Sequence, residues 1–484
     1  MVSFMFNKSI CWLSLLVLLN ISSCGGGSSE NTTPAEAESS NDENSAGSSN
    51  DGSSTGNENA QQQPNILFII SDDQGLDASA QYDLSEDLPN TPTIDKLAEE
   101  GLIFDNMWVT PACSTTRATI ITGKYGINSG AESLPANLSV DQEILQTYLK
   151  NNDETSNYES AVFGKWHLAT GSSSNTHPND IGVDYYAGNI SNLSDYYDWT
   201  LTVNGVEENS IEYHSTKITD LAINWVNEQT NPWFAWVAYS APHSPFHLPP
   251  ETLHDRELSG EESHIINNKR DYYLASIEAM DTEIGRLINS LDEGVKDNTI
   301  VIYIGDNGTP SGVIDEVVYE KSHAKGSLYQ GGIATPFIVS GKGVTRVNER
   351  ESALITATDL FATIADIAGA PETKIEDSVS FKALLTDNAT LDRSYIYTAF
   401  KSDTVTGWTA RSDEYKLIEF VDGSQELFSL EESFEETNNL LPTSNTELLE
   451  QVGNLEDFIA MITGKESNTP IDITNAILYN KSQN

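Results

Sequence analysis

The chain has 484 residues, 38% of them hydrophobic, and sets 73 acidic side chains against 25 basic ones, for a formal net charge of -48. Such a length supplies a substantial core and exceeds one small domain, while so acidic a surface excludes nucleic acid and other polyanions as general partners unless bases or a metal reverse the field locally. The charge is not confined to one tail: setting aside the seven acidic residues of 25–63 and Lys8 still leaves about -42 on residues 64–484.

Residues 1–24 read as an export signal, with Lys8, an apolar run from Ile10 to Leu19 that is short for a permanent span, and then Ile21-Ser22-Ser23-Cys24. Those last residues resemble the lipobox of bacterial lipoproteins, whose cysteine becomes the lipidated first residue of the mature chain. By that resemblance Cys24 anchors the protein to the cell envelope, and Gly25 leaves the outer membrane open as the destination; the alternative is a cleaved signal and a freely secreted protein. Cys11 and Cys24 both fall in this segment, so the folded part holds one thiol, Cys113, and no disulfide. Residues 25–63 are rich in Gly, Ser, Asn and acids, cannot bury enough surface to offset chain entropy, and are expected to form a disordered linker.

From Pro64 the character changes. Asn65–Ile70 is a near-continuous apolar run, the mark of a strand buried on both faces, and it ends in Ser71-Asp72-Asp73-Gln74-Gly75. A helix over Thr93–Gly101, a strand at Leu102–Phe104, a helix over Ile144–Lys150 and a strand at Ser160–Phe163 follow, the last running into Gly164-Lys165-Trp166-His167. Beyond an irregular, aromatic-rich region come a helix at Lys217–Asn227, a strand at Trp233–Tyr239 ending in Ala241-Pro242-His243, and an amphipathic helix at Tyr272–Leu291. Thr299–Ile304 is another buried strand, ending in Asp306-Asn307-Gly308, and Pro336–Val339 with a helix at Ala357–Ala368 continues the alternation. The pattern predicts an α/β domain over 64–390 with a mostly parallel central sheet covered by helices on both faces. Residues 391–484 differ: a hairpin about Asp422-Gly423 and a helix over Glu447–Met461 predict a smaller α+β subdomain with an antiparallel sheet.

The stretch Pro111–Gly123 places Cys113 at the start of a helix, where Ser114, Thr115 and Thr116 offer capping hydroxyls and Gly123 a stop. Free backbone N–H groups and Arg117 would there stabilise a thiolate; the alternative is an inert buried thiol. Two strand ends carry acid-rich pairs, Asp72 with Asp73 and Asp306 with Asn307, and four oxygen ligands favour a hard cation, Ca²⁺ or Mg²⁺, over zinc. Arg117, Lys165, His167, His243 and Lys325 sit in short stretches after apolar strands or in loops. Together they describe a cationic pocket around a metal, suited to a tetrahedral oxyanion.

In order along the chain, Asp72-Asp73-Gln74-Gly75, Cys113-Ser-Thr-Thr-Arg117 through Thr122-Gly123, Gly164-Lys165-Trp166-His167, Ala241-Pro242-His243, Met280-Asp281-Thr-Glu-Ile-Gly-Arg286, Asp306-Asn307-Gly308 and Lys325-Gly326 resemble the motifs of type I sulfatases, of the alkaline phosphatase-like superfamily. The resemblance runs from Pro64 to about Leu440. It implies that Cys113 is converted to formylglycine, whose hydrated aldehyde attacks the sulfur of a sulfate ester, and that Asp72, Asp73, Asp306 and Asn307 hold a Ca²⁺ that also contacts the modified Cys113. It further implies that Arg117 and Lys165 stabilise that residue and the sulfate, that His167 helps to release sulfate, and that His243 with Lys325 binds sulfate and protonates the leaving alcohol. Thr115 stands where the family pattern has Pro or Ala, which points maturation toward a radical-type enzyme rather than the common oxygen-dependent one. A tethered acidic sulfatase suits sulfated polysaccharides or their oligosaccharides, and Trp166, Tyr185, Tyr186, Tyr196, Tyr197 and Trp199 are candidates for sugar contacts, about half of them expected to be core or plain surface instead. The rival readings are a phosphate or phosphonate ester hydrolase of the same superfamily and an inactive surface protein that binds sulfated glycans.

Overall fold

The computed structural model describes residues 63–465, apart from 172–173, 372–374, 376 and 388. The expected signal at 1–24, the anchor Cys24 and the linker up to residue 62 lie outside the described residues. Ten strands form the central sheet: Asn65–Asp72 (β1), Gly101–Phe104 (β2), Glu159–Gly164 (β3), Tyr185–Gly188 (β4), Trp199–Val203 (β5), Val206–Ser210 (β6), Trp233–Pro242 (β7), Thr299–Gly305 (β8), Phe337–Gly341 (β9) and Glu349–Glu351 (β10). Their order across the sheet is β10-β2-β9-β8-β1-β7-β3-β4-β5-β6.

β1 is buried along its whole length. Ile66, Phe68 and Ile70 pack into the core on one face, and Leu67 and Ile69 into the core on the other. Side chains alternate between faces, so a strand held between two helical layers must be apolar at successive positions. The run β8-β1-β7-β3-β4 is parallel throughout. One face is covered by Pro92–Glu99 (α1), His214–Val226 (α3) and Lys269–Asn289 (α4), the other by Cys113–Thr122 (α2) and Asp359–Ala368 (α5). No helix among the described residues is long and apolar enough to cross a membrane.

The strand expected at Pro336–Val339 forms as β9, and it runs antiparallel to both β8 and β2. One expectation is corrected: the aromatic-rich region between His167 and Lys217, read as irregular, supplies three strands, with β5 antiparallel to both β4 and β6. Glu207, Glu208 and Asn209 of β6 are exposed at the sheet edge, so that strand carries no apolar run to betray it.

The C-terminal layer is an antiparallel meander of Ile396–Lys401 (β11), Thr406–Arg411 (β12), Tyr415–Phe420 (β13) and Gln425–Ser429 (β14). Leu455, Phe458 and Ile459 of the helix Thr446–Thr463 (α6) pack on its Tyr397, Ala410, Leu417 and Leu427. This layer reaches the loop that carries Lys325. Tyr329 Oη donates to Glu426 Oε2 at 2.6 Å, and the Gln330 amide donates to Glu436 Oε2 at 2.5 Å. Glu436 in turn faces Lys416 at 2.5 Å, both side chains fully buried.

Candidate active site

The carboxyl ends of the parallel strands meet α2 along one edge of the sheet, where ligands bind in folds of this class. β1 delivers Asp72 and then Asp73, whose φ of 74° lies in the left-handed region that Asp tolerates better than most residues. Its backbone is held from two sides: Tyr273 Oη of α4 donates to the Asp73 carbonyl at 2.7 Å, and the Asp73 amide donates to Asp306 Oδ1 at 3.0 Å. Past the end of β8, Asn307 Nδ2 donates to Asp73 Oδ1 at 2.9 Å. The two acid-rich strand ends therefore form one cluster.

Cys113 opens α2 against this cluster, its Sγ 3.5 Å from Asp73 Oδ1 and 3.3 Å from Lys325 Nζ. The hydroxyls expected to cap the helix do something else. Ala112 occupies the N-cap and no side chain caps the helix; Thr115 donates to the Ala112 carbonyl at 2.9 Å, and Thr116 Oγ1 accepts from the Thr110 amide at 3.0 Å. They brace the turn before the helix. Gly123 does end it, at φ 66°, where a Cβ would stand 2.8 Å from Phe361.

The cations close around the carboxylates. Arg117, one turn into α2, donates from Nε at 3.0 Å and Nη2 at 2.8 Å to Asp306 Oδ2, and from Nη1 at 2.6 Å to the Lys165 carbonyl. Lys165 Nζ, beyond β3, bonds Asp72 Oδ2. Lys325 Nζ bonds Asp73 Oδ1 at 2.5 Å. His243, at the end of β7, points Nε2 at Asp73 Oδ2 from 3.7 Å while its Nδ1 lies 2.6 Å from the Ser244 carbonyl. His167 adopts φ 59°, and its buried Nδ1 has no partner among the described residues. All of the expected site residues are thus brought to one edge.

Three positioning roles are not visible in the sequence, one of them that of Tyr196, a candidate there for sugar contact. Tyr196 Oη donates to the carbonyls of Ser240 at 2.6 Å and His243 at 2.7 Å, fixing the turn that presents His243. Asn189 accepts the Trp166 amide at its carbonyl, 3.0 Å away, while its Nδ2 donates to Ser240 Oγ at 3.0 Å. Tyr273 sits on the apolar side of α4, where its hydroxyl gave no signal. Of the six aromatic candidates for sugar contacts, Trp166, Tyr186, Tyr196 and Trp199 are buried, and only Tyr197 is exposed, with Tyr185 between.

Burial would raise the Asp72 carboxyl, but Lys165, His243, Arg117 and Lys325 outweigh it and hold the group well below its usual range. Asp73 is lowered likewise, burial being overcome first by Lys325 and then by His243. Asp306 goes the other way, to about 6, because burial and the neighbouring Asp72 outweigh Arg117. The thiol of Cys113 is pushed well up by burial and by Asp72, against Lys165 and Lys325. This corrects the expectation of a stabilised thiolate: helix-end amides do not compensate for a dry, acid-lined position. Burial and Lys165 bring His167 down to about 2, so its ring stays neutral.

Asp72 Oδ1 and Asn307 Oδ1 are buried with no hydrogen-bond partner among the described residues. Orphaned buried acceptors are rare unless something else satisfies them, and two such oxygens among three carboxylates fit a hard divalent cation. Donor atoms of Asp72, Asp73, Cys113 and His243 also lie within 4.8 Å of one another, a grouping that includes His243 and omits Asp306. The oxygen set is the better ligand set, because Asp72 Oδ1 and Asn307 Oδ1 have no other partner among the described residues, whereas His243 Nε2 already faces Asp73 Oδ2 at 3.7 Å. Three carboxylates and three cations make the cluster neutral by itself, so a divalent ion would turn it into an anion trap.

The sulfatase family model matches residues 64–370, and the model described as N-sulphoglucosamine sulphohydrolase, C-terminal, matches residues 320–459. The chain belongs to the sulfatase family. Arylsulfatase J of Mus musculus is 29% identical over 63% of this chain and 52% of its own length. N-acetylgalactosamine-6-sulfatase of Homo sapiens is 26% identical over 72% of this chain and 70% of its own. A solved structure of a protein in complex with its substrate D-glucosamine-2-N,6-O-disulfate superposes with a TM-score of 0.69 at 20% identity, covering 85% of this chain and 100% of that one. The sulfatase chain matches about half the length of the first of these relatives and brings its motif residues together at one sheet edge.

Proposed function

We propose that this sulfatase-family protein hydrolyses sulfate esters of carbohydrates, using a formylglycine made from Cys113 and a Ca²⁺ held by Asp72, Asp73, Asp306 and Asn307. The observation that carries the reading is the position of Cys113, with Sγ between Asp73 Oδ1 at 3.5 Å and Lys325 Nζ at 3.3 Å. The modified residue would supply a hydrated aldehyde oxygen as nucleophile, and the cation would supply positive charge for the sulfate oxygens. In the net reaction the ester's sulfur–oxygen bond breaks, water provides the oxygen that ends on sulfur, and the alcohol leaves with a proton.

The chain's own residues account for binding and proton movement. Lys165, Arg117 and Lys325 counter the charge of sulfate in a site from which the bulk of this acidic surface would otherwise repel it. Lys325 keeps its proton well above the usual lysine range: burial alone would lower it, but Asp73 and Asp72 reverse that. Its Nζ therefore holds the proton that the leaving alcohol takes, with His243 Nε2 beside it. His167 stays neutral, and its buried Nδ1, with no partner among the described residues, is open to hydrogen-bond the modified residue as sulfate leaves. A carbohydrate substrate is supported by the names of the relatives, one an N-acetylgalactosamine-6-sulfatase and one solved with a glucosamine disulfate. Export, lipid attachment at Cys24 with an outer-membrane address, and maturation by a radical-type enzyme belong to this reading.

The test pairs 4-nitrophenyl sulfate with 4-nitrophenyl phosphate, using protein coexpressed with a radical-type maturase and analysed by mass spectrometry of the Cys113 peptide. Sulfate release dependent on the aldehyde form is expected. Dominant phosphatase activity, or full activity with an unmodified thiol, would overturn the proposal.

A further inference from the structure

Beyond β4 the chain leaves the sheet at the same edge as the strand ends that carry the site, since β4 is parallel to β3. Residues 189 and 190 then do two jobs. The Asn189 carbonyl accepts the Trp166 amide at 3.0 Å and the Ile190 carbonyl accepts the His167 amide at 2.8 Å, so this stretch backs the loop that presents His167. The same stretch walls a cavity of about 310 Å³, lined by Ser174, residues 189–194, Trp199, Thr200, Thr202 and Glu207. That volume lies at the lower end of small-molecule pockets.

Its chemistry is specific. Thr200 and Thr202 project from one face of β5, two residues apart, and Glu207 of β6 stands directly opposite Thr202. Ser191, Asn192 and Ser194 face them from the loop. The side chains of Ser191, Asn192, Ser194, Thr200 and Glu207 are exposed, and none is tied up in a hydrogen bond with other described residues. Hydroxyls and amides both donate and accept, as sugar hydroxyls do, and a carboxylate accepts from them. Among the described residues, no lysine, arginine or histidine lines the cavity. In a chain of net charge -48, with Glu207 on the wall, a second sulfate or a uronate there would meet only repulsion.

We infer that this cavity is a subsite for a neutral glycosyl residue next to the sulfated one, so that the preferred substrate is an oligosaccharide sulfated on the residue at Cys113 and unsulfated on its neighbour. The inference rests on the sulfatase reading and deepens it.

The matured full chain is assayed on 4-nitrophenyl sulfate and on monosulfated disaccharides of galactose, fucose and N-acetylhexosamine. The matching monosaccharide sulfates and the same disaccharides sulfated on both residues complete the set. At least one monosulfated disaccharide is expected to exceed both its monosaccharide and its doubly sulfated analogue in kcat/KM by about tenfold. Thr200→Trp, which fills the cavity from an exposed position, is expected to lower the ratio of that disaccharide's kcat/KM to the 4-nitrophenyl sulfate value by about tenfold. Glu207→Lys should shift preference toward the doubly sulfated form. Monosaccharides served as well as disaccharides, a wild-type preference for the doubly sulfated form, or a ratio unmoved by both variants would each overturn the subsite. Release of sulfate from none of the substrates, the aryl sulfate included, would overturn the sulfatase reading and the subsite with it.

Discussion

The edge of the central sheet and the junction between α5 and the C-terminal layer both bury charge, and they treat it in opposite ways. At the junction, Asp359 accepts the Thr356 amide at 2.9 Å, the Val379 amide at 3.0 Å and both terminal nitrogens of Arg393. Each of its oxygens is shared between an amide and the guanidinium, and the pair is almost sealed from solvent. At the sheet edge, Asp72 Oδ1 and Asn307 Oδ1 are left over, Asp306 is pushed up to about 6 by burial and Asp72, and cations crowd in from three elements. A buried charge whose hydrogen-bonding capacity is filled stabilises a particular packing; one left with vacant lone pairs is kept for a ligand. The number of buried ion pairs does not separate the two regions, but the accounting of their lone pairs does.

That contrast can be broken most decisively at Cys113. Cys113→Ala should abolish sulfate release, by about 10⁴-fold or more, because residues that act as a unit lose nearly all catalysis together. Its urea midpoint should remain close to that of the parent. A large loss of stability would place Cys113 with the structural residues instead. Next in size is the metal: chelation with EGTA should remove activity and lower Tm, and Ca²⁺ at about 100 times its Kd should restore about 2.7 kcal/mol of stability. A Tm indifferent to Ca²⁺ would mean that the orphaned oxygens are not ligands.

At the junction the expectation is reversed. Asp359→Ala removes the buried carboxylate that the Thr356 and Val379 amides and Arg393 share, and should cost about 3–5 kcal/mol in urea unfolding, with activity falling only as the folded fraction falls. A loss well under that range would erase the contrast.

Asp281 of α4 offers the finest test, as a buried structural carboxylate facing backbone amides. It accepts from Thr93 N at 3.0 Å and Ile94 N at 2.8 Å, and burial raises it to about 6 despite those bonds. With the folded value above the unfolded one, the native state binds the extra proton between about pH 4 and 6, so stability from this group is present below that window and falls by about 3 kcal/mol across it. Asp281→Asn should flatten the pH dependence of the urea midpoint over that window. An unchanged slope would remove Asp281 from the account.

The order of residues alone sets the buried strands and the chemistry at their ends. Asn65–Ile70, Trp233–Tyr239 and Thr299–Ile304 are legible because a strand covered on both faces admits no polar alternation, and the polar residues that end such runs must emerge at the sheet's edge. Tertiary structure decided what depends on neighbours distant in the chain. Whether the Cys113 thiol ionises is set by desolvation and by Asp72, not by the helix it begins. Tyr196, whose ring could as well have faced a sugar, turns inward to bond Ser240 and His243. The polar edge strand Val206–Ser210 exists because β5 offers it a partner, and its exposed side chains leave no trace in the hydrophobic pattern. Apolar periodicity records which faces are buried; pairing, desolvation and the direction of an aromatic hydroxyl are fixed only when separate elements meet.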